Sequence, residues 1–162
     1  MAQSGSPTPV ALRAALLGVV AGMRSQMPFA LLAVAARQDR VGSAAAEPTG
    51  ILGSDRVLVS SGLAAAGELI GDKLPFTPSR LAPLPLAGRI GFGGAAGALL
   101  ARRSGDSALL GAAAGAAGSL LGAFGGYRAR VFAGRATGVA DPVWGAAEDV
   151  VAVSIGLLAT RR

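Results

Sequence analysis

From Ser107 to Tyr127 the chain carries no charged residue, and Gly111, Gly115, Gly118, Gly122 and Gly126 recur there at steps of four, three, four and four. At about 1.5 Å per residue such a run crosses ~30 Å of hydrocarbon as a helix. The glycine spacing puts all five on one face, where another helix backbone approaches closely. The expectation is a transmembrane helix packed through its glycines. Composition agrees: charged residues make up 15% of the chain, against about 25% in soluble proteins. With 162 residues the chain is long enough for one domain. We therefore expect an all-α, polytopic transmembrane bundle over residues 10–162, preceded by a mobile polar tail at 1–9.

The sequence lacks both Cys and His. Disulfides, thiolate metal sites and the commonest general base are excluded. No cofactor and no metal site is expected. The net charge of +6 does not read as nucleic-acid binding, because the cations stand singly between apolar runs and aromatics for stacking are few.

Val10 to Ala36 is the first apolar stretch. Arg13 before an apolar run and Ala33-Val34-Ala35 after it resemble a cleavable leader, but Arg24 interrupts the run and the small-residue motif lies too far on. Gly22 and Pro28 bracket Arg24, and a proline at that offset removes the amide that would bond the Arg24 carbonyl. The first span should therefore be broken near Gly22–Pro28, with freed backbone groups around a mid-span arginine.

Arg37 to Arg56 reads as a loop, and Val57 to Leu74 as a second, short helix with Glu68 and Asp72 on one face. Two carboxylates on one face call for a cation from elsewhere. Pro75, Pro78, Pro83 and Pro85 follow, with Lys73, Arg80 and Arg89 close to the acids. Thr77-Pro78-Ser79 beside Lys73 and Arg80 suits either a plain turn or one that faces an anion. Leu84 to Ala101 is the third helix, with Gly93 and Gly97 in GxxxG spacing. Gly126 to Arg130 should close the fourth helix with cations near its C-terminus. Asp141-Pro142 should open the fifth as N-cap and first residue. Tyr127 and Trp144 fit an interfacial belt, while Glu148 and Asp149 lie inside the last span.

Gly22/Arg24 followed by Glu68/Asp72 resembles Gly126/Arg128 followed by Glu148/Asp149, and the two halves would run in opposite senses. This suggests an inverted repeat. With Arg24 left out, Arg13, Lys73, Arg80, Arg89, Arg128, Arg130 and Arg135 fall on one side of a five-span layout. Arg37, Arg40, Arg56, Arg102, Arg103, Arg161 and Arg162 fall on the other. Setting aside Arg80, Arg89, Arg128 and Arg130 as site candidates puts the C-terminus in the cytoplasm.

The segments GVVAGMRSQMPFALL, GELIGDKLPFTPSRLAPLPLAGR, GAFGGYRARV and DPVWGAAEDVVAVSIG resemble, in that order, the bacterial family called domain of unknown function 4126. The similarity runs from Val10 to Gly156, and its middle motif GDKLP-x-TPSR-x-x-P is specific. The resemblance implies a small integral membrane protein, in the bacterial cytoplasmic membrane, and supplies no chemistry.

Lys73 and Arg80 have the spacing of the first signature of type 2 phosphatidic acid phosphatases. That chemistry needs histidines, which are absent, and Leu81 stands where that family has proline. A Mg²⁺-dependent lipid transferase would need a clustered Asp signature that the chain lacks. The leading expectation is a small transporter or channel, with a path for a small ion or anionic solute lined by Arg24, Glu68, Asp72, Lys73, Arg80, Arg128, Glu148 and Asp149. The alternative is a membrane scaffold, in which these charges are internal salt bridges and the glycine faces drive homo-oligomerisation.

Overall fold

A computed structural model describes residues 9–42, 50–71 and 81–161. It contains α1 (Val10–Met23), α2 (Met27–Gly42), α3 (Asp55–Gly71), α4 (Pro83–Arg103), α5 (Ala108–Thr137) and α6 (Asp141–Thr160), with a 3-10 turn at Gly50–Gly53. No strand occurs among the described residues. Helices α4, α5 and α6 are long and apolar enough to cross a membrane.

Packing is inside-out relative to a soluble protein. The interior is built from Ala14, Ala21, Gly93, Ala96, Gly97 and Gly115, while Leu63, Ile70, Leu109, Leu121, Phe132 and Val150 point outward. In water this would leave large apolar side chains hydrated on every helix. Lipid is the solvent that suits them.

The small residues let α1, α4 and α5 meet backbone to backbone. A Cβ on Gly115 would intrude on the Gly93 carbonyl of α4, and one on Gly111 would meet the Gly97 carbonyl. Further along α5, Gly118 and Gly122 abut the carbonyls of Ala15 and Val19 on α1. From α1, Gly18 faces the Gly115 carbonyl and Gly22 that of Ser119. The fifth glycine of the row, Gly126, is buried. The glycine face of α5 is thus taken up inside the chain.

The first span is broken where Gly22 and Pro28 mark it, at Arg24–Gln26, but it does not continue across the bundle. Instead, α2 doubles back beside α1. Met27 clusters with Val20 and Ala152, and Leu31 touches the position of Gly156. Leu32 shares a core with Ala14, Leu17 and Ala159. A collinear α2 would carry Leu32 roughly 22 Å beyond Leu17 at ~1.5 Å per residue. The hairpin enters and leaves on one face. With 14 residues, α1 reaches only about 21 Å, so its tip lies inside the depth of the longer helices. Successive helices then alternate in direction, α6 running down alongside α2.

Other boundaries also differ from the sequence expectation: α2 runs on to Gly42, into the stretch read as a loop, and α4 runs from Pro83 to Arg103. Helix α5 runs seven residues past Arg130 to Thr137, carrying Gly134 inside it and stopping at Gly138. Gly138 adopts φ 67° and returns its N–H to the Gly134 carbonyl. Ala140, not Asp141, is the N-cap of α6. The Asp141 carboxylate is drawn to Arg130 instead. Helix α3 starts two residues early at Asp55, with the Ser54 hydroxyl accepting from the Val57 N–H at 3.3 Å, and its expected end at Leu74 lies outside the described residues.

Candidate functional site at the hairpin tip

Breaking a helix inside a bundle leaves carbonyls without partners at the end of α1 and N–H groups without partners at the start of α2. The tip satisfies both sets with charge. Arg24, 1% exposed overall, donates through Nη1 to the Met23 carbonyl at 2.9 Å, and its own N–H closes on Val20. Arg89 from α4, also buried, donates through Nε to the Gly22 carbonyl at 3.2 Å. Cations therefore sit at the negative end of α1. At the positive end of α2, Glu68 of α3 accepts from the Ser25 N–H (2.7 Å), the Ser25 hydroxyl (2.8 Å) and the Gln26 N–H (2.8 Å). Arg89 Nη2 stands 3.5 Å from the same carboxylate and so joins the two half-helix ends.

Helix α6 closes the other side. Arg24 Nε donates to Asp149 Oδ1 at 2.5 Å, its Nη1 lies 3.6 Å from Glu148 Oε2, and its Nη2 lies 3.4 Å from the Gly145 carbonyl. Glu148 is shared with Arg130 of α5, whose Nη1 lies 3.4 Å from the same oxygen. Arg130 also pairs with Asp141 at the head of α6. Six ionisable side chains from five parts of the chain thus form two linked groups around one break: Arg89 with Glu68, and Arg24 with Asp149, Glu148 and Arg130.

Of the residues singled out in the sequence, Arg24, Glu68, Glu148 and Asp149 come together at the tip. Arg128 does not, being exposed on the far side of α5. Asp72, Lys73 and Arg80, with the Thr77-Pro78-Ser79 turn, lie outside the described residues. The cations at the tip that the expected path lining omitted are Arg89 and Arg130, although the charge count set both aside as site candidates. A signal for both was available. Buried positions on a helix repeat at steps of three and four. One turn before Gly93 on α4 is Arg89, and one turn beyond Gly126 on α5 is Arg130. Arg128, two residues from Gly126, falls on the opposite side of the same helix.

Among the described residues no group of three acidic side chains has the arrangement to hold a metal. The tip can neutralise charge, exchange one ion-pair partner for another and present a fork of N–H donors to a carboxylate or oxyanion. Tyr127 and Trp144 both lie toward the Asp141 end of the bundle, where α5 and α6 extend past the hairpin.

A family profile described as Domain of unknown function (DUF4126) matches residues 11–161. No curated protein and no solved structure matches the chain.

Proposed function

We propose a function for this chain, which belongs to the DUF4126 family, from the hairpin tip itself: a small transporter or channel for an ion or small anionic solute. The observation that carries this reading is Arg24, buried at the tip of a half-span hairpin and held by acids from another helix. Broken helices that end inside the membrane are a recurrent way to place a binding site at depth. Ionisable groups there are costly enough that function is the default explanation. In this reading Arg24 receives the anionic group of the solute in exchange for Asp149, while Glu68, Glu148 and Asp149 provide proton or cation coupling. The inverted-repeat idea loses its first pair, because Gly18 faces Gly115 and Gly22 faces Ser119, so α1 and α5 run in the same sense; its pattern survives in α3 and α6. They run in opposite senses, and each brings a glutamate to the same break.

We place the protein in the bacterial cytoplasmic membrane as a multi-pass protein. A doubled-back hairpin changes the charge count of the sequence layout. Among the described residues, Arg13, Arg37, Arg56, Arg102, Arg103 and Arg161 gather at the end where α1 begins. Only Arg128 and Arg135 stand at the other, apart from the cations of the site. The excess puts the Arg13 end, and with it the C-terminus of α6, in the cytoplasm.

A scaffold role remains the second reading, favoured by one observation: the charges at the tip satisfy half-helix ends as a structural network would. Flux separates the two. Arg24→Lys keeps the charge but loses the planar fork. Purified into liposomes, it should insert and stay folded, with a smaller loss of stability than Arg24→Ala, while flux of anions, cations or protons falls at least tenfold. No flux of any solute in the parent favours the scaffold, while normal flux in Arg24→Lys removes the Arg24 fork from the path.

A further inference from the structure

We propose that Arg130 is the gate residue of this site, closing the way from the Asp141 end of the bundle to Arg24; the proposal rests on the transport reading above. The ion pairs form a graded line from solvent inward. Side-chain exposure falls from 69% at Asp141 to 17% at Arg130, 6% at Glu148 and 2% at Arg24. Arg130 spans the steep part of that line. Its Nε donates to Asp141 Oδ1 at 3.1 Å and its Nη2 pairs with Oδ2, while Nη1 reaches inward to Glu148 at 3.4 Å.

Two features make this a movable closure. Glu148 Oε2 is contested, with Arg130 Nη1 at 3.4 Å and Arg24 Nη1 at 3.6 Å, so the carboxylate can turn wholly to Arg24 when Arg130 leaves. And the Arg130 guanidinium lies over Gly145, where a Cβ would meet Nη2 at 3.6 Å. The carbonyl of that same glycine accepts from Arg24 Nη2 at 3.4 Å. The two guanidiniums are thus separated by one residue of α6 backbone. A swing of Arg130 onto Asp141 alone uncovers Arg24 without moving a helix. The solute class that fits is an anion small enough to pass from one arginine to the next.

The chain contains no cysteine, so a single introduced thiol reports alone. Ala152→Cys places the tip thiol on α6 one turn inward of Glu148, at a fully buried position beside Val20 and Met27, and Val139→Cys in the exposed α5–α6 turn gives the unobstructed rate. We would measure modification of purified protein by an anionic and by a cationic thiol reagent. Arg130→Gln should speed modification of the tip thiol at least tenfold with both reagents. Asp141→Asn, which leaves Arg130 only Glu148, should slow both severalfold. If Arg130→Gln speeds the cationic reagent and slows the anionic one, Arg130 acts only through its field and the gate is refuted. Equal rates in all backgrounds, or a tip thiol that never reacts, refute it too. Faster modification in Arg130→Gln and slower modification in Asp141→Asn, with both reagents, in a protein without flux would instead remove the transport reading and leave the gate in place.

Discussion

The seam of α1, α4 and α5 and the tip of the α1–α2 hairpin lie one turn apart and are held together in opposite ways. The seam is made by absence. Glycines withhold their side chains so that backbones touch, and dispersion over many such contacts supplies the attraction. The tip is made by charge. Arginines and acids meet helix ends that have lost their neighbours, and each is held because the alternative is an unsatisfied group in a medium without water. The seam should therefore reject added atoms whatever their polarity. The tip should accept isosteric changes and reject loss of charge.

The largest effect is expected at the tip. Arg24→Ala leaves Asp149 without its guanidinium and the Met23 carbonyl uncapped, and should destabilise by about 3–5 kcal/mol, read as thermal unfolding in detergent. Pairing Arg24→Met with Asp149→Leu should restore most of that stability, since Glu148 keeps Arg130. If the double variant is no more stable than Arg24→Ala, the tip is not held by this pair.

In the seam, Gly115→Ala should cost about 3 kcal/mol, the upper part of the overpacking range, because its Cβ meets backbone that has no rotamer to yield. Gly125→Ala, on the same helix with open space around it, should instead gain up to about 1 kcal/mol from helix propensity. A gain at Gly115 as large as that at Gly125 would show that helix propensity, rather than close approach, governs α5.

A smaller change is expected from Glu68→Gln. One oxygen still accepts from Ser25, but an amide NH₂ then faces the Gln26 N–H, a loss of about 2 kcal/mol. A variant as stable as the parent would mean that the start of α2 does not depend on the carboxylate.

Sequence made the seam readable because its signal is local. The steps of four, three, four and four name a face, and a face of that width can only pack against backbone. The break at Arg24 was readable for the same reason, from Gly22 and Pro28. What the sequence hid was direction. Three residues between two apolar helices serve a bend or a reversal equally well, and nothing in the periodicity of α1 or α2 refers to the other helix. Length held the missing clue, since neither half reaches ~30 Å by itself. The choice between Arg128 and Arg130 turned on register. A 100° step per residue puts positions two apart on opposite sides of a helix, and only the glycine row carried past Gly126 says which side is inward.

The hairpin also sets the order in which the molecule can be completed. Arg24 is made early, and its closest acid lies 125 residues later. At ~5–20 residues per second of synthesis the wait is about 6–25 s. Until α6 emerges, Arg24 lacks both Glu148 and Asp149 and must be kept out of hydrocarbon, so the first helix translated is the last to be seated. A ribosome stalled after α5 would present the hairpin to the cell as an unfinished client, recognisable to membrane quality control by its unpartnered charge.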